Sequence, residues 1–104
     1  MIINMTPHSI NVIVNGVEIA TFPPSGDTVR IESAQIESGK VDGIPAFIVE
    51  YGKPVGVPPV MPGIYYIVSG MVKSAMPERT DFVAPAAQVR NEKGQVVGCA
   101  GFIV

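Results

Sequence analysis

The chain has 104 residues, 47% of them hydrophobic and only 15% charged, with a net charge of -2. That length sets one domain over residues 1–104 with a thin core, and the seven Lys and Arg are scattered from Arg30 to Lys93. Without a basic patch, duplex nucleic acid is excluded as an expected partner; with one cysteine, so are an intramolecular disulfide and a thiolate zinc cage.

Eleven glycines and ten prolines are spread along the whole chain, so they read as turns between short strands rather than as a linker. Ile2–Met5 starts a strand, interrupted by Thr6-Pro7-His8-Ser9, and Ile10–Val14 resumes it. Asn15-Gly16 between Val14 and Val17 is the strongest short hairpin signal, because both residues accept positive φ. It makes Val17–Phe22 the return strand. Thr28–Glu32 alternates with a period of two and predicts a strand with one wet face. The polar stretch Ser33–Lys40 predicts a loop, with room for a brief helical turn at Ser33–Glu37. Ala46–Tyr51 is the next strand, and Pro54, Pro58, Pro59 and Pro62 hold an extended loop after it.

Gly63–Val68 is the most β-prone run and predicts a central, buried strand. Ser69 is placed to cap a helix whose Met71, Val72, Ala75 and Met76 share one face, and Pro77 stops it. Asp81–Val83 and Ala87–Arg90 predict two short strand pieces around Pro85. Asn91–Gly94 is a second turn, and Gln95–Val104 closes the chain as an apolar strand. The fold class that follows is mostly β (a β-rich α+β domain). It is a small barrel or a strongly bent antiparallel sheet, with one short helix near residues 70–76.

The apolar excess on so small a chain predicts a homo-oligomer that hides an apolar face. No basic leader precedes an apolar run, no stretch approaches the length of a membrane helix, and the lone cysteine suits a reducing, cytoplasmic setting. The expectation is therefore no membrane partner.

Several groups could carry chemistry. His8, the only histidine, sits between Thr6 and Ser9 and could donate to a ligand, act as a base, or satisfy backbone groups at the bend. A hydrolase would need Ser9 or Ser25, His8 and Asp81 to converge, and no nucleophile-elbow pattern is present. Arg79 and Asp81 flank Thr80. They form either a pocket cluster, in which Arg79 or Arg90 takes a phosphate or carboxylate, or an ion pair that pins a loop. Pro24–Asp27 is explained by turn chemistry, and Cys99, Met71 and Met76 by burial. One His and one Cys without paired carboxylates predict no metal site, and nothing calls for a cofactor.

Widely separated patches resemble a group of short phage and prophage proteins. They are Ile2-Ile3-Asn4-Met5-Thr6-Pro7-His8-Ser9-Ile10-Asn11, Pro23-Pro24-Ser25-Gly26, Arg79…Asp81-Phe82-Val83-Ala84-Pro85, and Val89-Arg90-Asn91…Gly94-Gln95-Val96-Val97-Gly98-Cys99. The resemblance implies a viral or mobile-element context, hence the host cytoplasm, and it transfers no catalytic residue. Small β-rich phage proteins include several that sequester nucleotide immune signals. The expected function is non-enzymatic binding of a small anionic, nucleotide-type ligand by Thr6, His8, Arg79, Asp81 and Arg90. The alternatives are a structural or protein-interaction module docking on a host or virion protein, and a small hydrolase.

Overall fold

A computed structural model describes residues 1–104. The elements are β1 (Ile2–Asn4), β2 (Ile10–Val14), β3 (Val17–Phe22), β4 (Arg30–Val41), β5 (Ile44–Val55), β6 (Tyr65–Ile67), α1 (Gly70–Ala75), β7 (Phe82–Arg90) and β8 (Val96–Ile103). Six strands form one sheet in the order β1-β6-β7-β8-β2-β3, and β4 pairs only with β5. The domain is mostly β with a single short helix, and its main sheet curls into a half-barrel. The sheet is mixed: β1, β6 and β7 run parallel, β2 runs parallel to β8, and the β7–β8 and β2–β3 pairs are antiparallel. No helix is long and apolar enough to cross a membrane.

The Asn15-Gly16 hairpin forms as its sequence dictates, with φ of 51° and 78° at the two turn residues. Ser69 caps α1 by accepting from the Val72 amide. Val72 is buried and Met76 packs at the edge of the core, whereas Met71 is half-exposed rather than on the buried face. The core joins Met5, Val29, Tyr66, Val68, Val72 and Phe82, so the helix covers the face of β6 and β7 that carries the even-numbered residues. Ile67 and Val83 alternate to the opposite face and are buried there as well, so β6 is the buried strand that its composition predicts, although it lies second from the edge of the sheet rather than at its centre.

Two expectations are corrected. Ser33–Lys40 is neither a loop nor a helical turn: it lies within β4, a twelve-residue strand paired with the equally long β5. The turn between them is Asp42-Gly43, with φ of 49° and 80°, the same chemistry as Asn15-Gly16. The second correction concerns β7, which runs unbroken through Pro85. Its first two residues pair with β6 and the rest with β8, so the proline sits beside the change of partner, in the short pairing Pro85–Phe102.

Candidate functional site

Arg79 and Asp81 lie in the turn that leads from α1 into β7. The Arg79 guanidinium donates from Nε to Asp81 Oδ1 and from Nη2 to Oδ2, both at 2.8 Å. Its Nη1 donates to the Pro58 carbonyl at 2.8 Å, and its Cζ lies 4.3 Å from the centre of the Phe82 ring. Both side chains are about seven-eighths buried, at 12% and 13% exposure. Three of its five N–H groups are thus committed within the chain, and the cluster ties the proline loop to the start of β7. A small recess of about 200 Å³ beside it is lined by Met61, Gly63, Ile64, Tyr65, Thr80 and Asp81.

The hydrogen bond from Arg79 holds the Asp81 carboxyl below the usual carboxylate range against the opposing cost of burial, and the Arg79 charge adds to it. The same bond from the other side raises Arg79. A depressed carboxylate contributes stability above its unfolded value, about 3.9, and that contribution is lost as pH falls through the folded value. Asp81→Asn should therefore lower stability at neutral pH by about 2 kcal/mol, since it leaves Arg79 without its counter-charge. It should also flatten the acid limb of a stability-against-pH curve below about pH 4. Denaturant midpoints across pH 2–7 check both; an unchanged acid limb in the variant refutes the assignment.

Thr6 and His8 belong to a different structure. The side chain of Asn4, 2% exposed, organises the bend between β1 and β2. Its Nδ2 donates to the carbonyls of His8 at 2.7 Å and Phe22 at 2.8 Å, and its Oδ1 accepts from the Thr6 amide at 2.9 Å and the Thr6 hydroxyl at 2.7 Å. Thr6 is half-buried and committed to this knot. His8 contributes its carbonyl to the knot, and the residue is exposed. Asn4 was not singled out by pattern; the available signal is a lone amide inside an apolar strand start, which must find partners if the strand is buried.

Arg90 is at the far end of β7. It donates to the Gly94 carbonyl at 2.7 Å and to Gln88 Oε1 at 3.2 Å, bracing the β7–β8 turn, where Asn91 Oδ1 also accepts from the Lys93 and Gln95 amides. β7 runs nine residues from Phe82 to Arg90, so Asp81 and Arg90 stand up to about 30 Å apart along the strand. Thr6 and His8 follow the carboxyl end of β1, and Asp81 precedes the amino end of the parallel β7. The five predicted residues are therefore distributed over three places, with Arg79 and Asp81 together, Thr6 and His8 together, and Arg90 apart.

A larger recess lies elsewhere, although it is close to two of them. It is an open trough of about 310 Å³ whose floor is Val96–Cys99 of β8 and whose walls are Ser9–Asn11 on the β2 side and Pro85 and Gln88 of β7. His8 adjoins Ser9 in the chain, and Arg90 bonds to Gln88, so a cation flanks the trough at its β7 wall. The trough depends on Gly98: a Cβ there would lie 2.6 Å from the Asn11 carbonyl oxygen and 2.9 Å from the Ile13 side chain. Ala87, with φ of 55°, interrupts the β7–β8 ladder next to Gln88. A left-handed alanine in a strand costs about 1 kcal/mol or more, and it lies beside the trough wall. Asn11 Nδ2 donates to the Val97 carbonyl at 3.3 Å, while the Ser9 hydroxyl, Asn11 Oδ1 and Gln88 Nε2 have no protein partner and are free to meet a ligand.

No three His, Cys, Asp or Glu side chains converge on a point where a metal ion could sit. The Cys99 thiol is buried at the trough floor. Comparison with protein-family models, with curated proteins and with solved structures finds no match to this chain.

Proposed function

We propose that the chain is a non-enzymatic binding protein that takes a small anionic ligand of the nucleotide type in the trough over β8. The observation that carries this reading is the trough itself. Its volume of about 310 Å³ is at the lower end for small-molecule sites, about 300–1,000 Å³, and fits one nucleotide unit better than a larger molecule. Apolar carbon from Ile10, Pro85, Val96 and Val97 offers a surface for a base, and the free amide and hydroxyl groups offer hydrogen bonds to its edge. Arg90 at the rim supplies the positive charge that an anionic group needs. Arg79 and Asp81 have no part in it, because they already neutralise each other.

The resemblance to phage and prophage proteins supplies the biological reading: sequestration of a nucleotide immune signal in the host cytoplasm. Calorimetric titration with cyclic nucleotides and ADP-ribose derivatives tests it. Binding of one member, weakened about tenfold by Arg90→Ala and unaffected by His8→Ala beyond a few-fold, is the expected result. Silence across the panel sinks the nucleotide reading.

A homo-oligomeric state belongs to the same proposal. Part of the apolar excess of the sequence surfaces on β4 and β5, between Ile36 and Val55, instead of entering the core. That surface also favours a second reading, a protein-interaction module. A single stoichiometric partner recovered from host lysate, together with no small-molecule binding, would select it.

A further inference from the structure

The β4–β5 ribbon is an arm joined to the body by two roots, and the two are built differently. Both strands are twelve residues long, so the arm reaches about 36 Å from its base. On the β4 side the root enters the core. Val29 is 5% exposed, its amide donates to the Met5 carbonyl at 3.1 Å, and Ile31 packs at the core edge. On the β5 side the chain leaves the arm as a strap, Gly56 to Gly63, that runs over the surface. Within the strap only Pro58 is half-buried, and no backbone-to-backbone hydrogen bond joins it to a strand or to the helix.

Side chains hold the strap instead. Arg79 Nη1 donates to the Pro58 carbonyl at 2.8 Å, and the Tyr66 hydroxyl donates to the Pro59 carbonyl at 3.1 Å. Both donors are braced from behind. Nε and Nη2 of Arg79 are given to Asp81, and the Tyr66 ring stands edge-on to Phe82 with centroids 6.1 Å apart. At the far end of the strap the Gly63 carbonyl accepts from the Met1 amine at 2.8 Å.

The strap is stiff except where it meets the arm. Pro58, Pro59 and Pro62 fix φ and hold the backbone extended. Gly56, with φ of 82°, follows the last residue of β5. A Cβ there would lie 2.6 Å from the Thr28 carbonyl oxygen, so Gly56 passes directly against the residue that leads into the other root. The two roots therefore meet at Thr28 and Gly56, and the freedom of the chain is concentrated at that point.

We infer that the arm is a lever hinged at Thr28 and Gly56, and that Arg79 and Tyr66 form a latch that sets its direction through the strap. The inference is independent of any ligand in the trough. A ribbon held by β4 alone has one strand to pivot on; the strap supplies the second point of hold. A turn of about 10° at the hinge carries the tip through about 6 Å, so two hydrogen bonds at the base govern a large displacement. Side-chain bonds to an exposed loop open more readily than a buried root, so the strap is the side that lets go first. Arg79 and Tyr66 are positioning residues, acting on the arm through the prolines.

Electron–electron distances between two nitroxide labels test this. Lys40→Cys near the arm tip and Ser74→Cys on α1 carry the labels; both positions are exposed, and Cys99 is buried and stays unlabelled. Labelled chains are diluted in unlabelled protein so that only distances within one chain are read. The chain with its latch intact should give one narrow distance. Tyr66→Phe removes the hydroxyl and keeps the ring, and Arg79→Lys keeps the charge but cannot reach Asp81 and Pro58 together. Each should broaden the distribution about twofold, and the pair should broaden it further. Tyr66→Phe alone decides the matter if Arg79→Lys fails to fold. Variant distributions as narrow as the parent's would show that the β4 root aims the arm by itself. A parent distribution that is already broad would show that no latch acts, and either result overturns the inference.

Discussion

Asn4→Ala should cost the fold about 4 kcal/mol and lower the melting temperature by about 20 °C. The side chain is buried and makes four hydrogen bonds, two given and two received. Its removal leaves the Phe22 carbonyl and the Thr6 amide of this part-buried bend without that partner, while the His8 carbonyl keeps the Thr6 hydroxyl at 3.0 Å. Each orphaned buried group costs about 1–3 kcal/mol. The knot also fixes where β2 starts relative to β1, so the loss reaches the sheet. Asn4→Asp separates geometry from size: the carboxylate still accepts from Thr6 but donates to neither carbonyl, and it faces both with negative charge. It should be at least as damaging as alanine near neutral pH. Thermal melts of the two variants check this, and a loss under about 1 kcal/mol in both would show that the bend is held by something else.

Gly98→Ala should cost about 3 kcal/mol. The added methyl meets the Asn11 carbonyl oxygen at 2.6 Å, a backbone atom that cannot rotate away, as well as the tip of Ile13. Relief requires β2 to move off β8. The only laddered residue pair joining those strands is Val12–Cys99, one residue from the clash. The expected result is specific. The Cys99 thiol, 4% exposed in the native fold, should react with a thiol reagent in the variant under conditions where the wild type reacts only on unfolding. A variant as protected as the wild type would mean that the sheet absorbs the methyl without opening.

Much of the fold was legible where local chemistry decides it. Asn15-Gly16, the Ser69 cap, the stop at Pro77 and the Asn91–Gly94 turn are all fixed by residues within a few positions of one another. The misreading of Ser33–Lys40 has an instructive cause. Period-two alternation marks a strand with one buried face, and the distal part of β4 buries neither face inside its own chain. The signal that survives is the turn, Asp42-Gly43 between Val41 and Ile44, which carries the same information as Asn15-Gly16. Pro85 predicts a break because proline cannot donate to a ladder; β7 tolerates it at the place where one neighbour gives way to another.

The candidate site was less legible. The Arg79–Asp81 spacing correctly suggests a pair but does not say whether the pair is spent on structure, and the Pro58 carbonyl and the Phe82 ring that occupy Arg79 come from other parts of the chain. The need for glycine at 98 arises only when a strand more than eighty residues earlier is brought alongside. The trough walls share this property, being assembled from β2, β7 and β8, and no window of sequence contains them together.

The position of β8 between β7 and β2 has a consequence for synthesis. The β2–β3 hairpin leaves the ribosome early, and its permanent neighbour is translated about eighty residues later, on the order of ten seconds at ordinary rates. Through that interval the hairpin has no sheet to join, and Val12, buried once β8 pairs beside it, remains open to other chains. The nascent protein is therefore at its most aggregation-prone while it waits for β8. Crowded polysomes making this chain should form inclusions from incomplete rather than finished molecules.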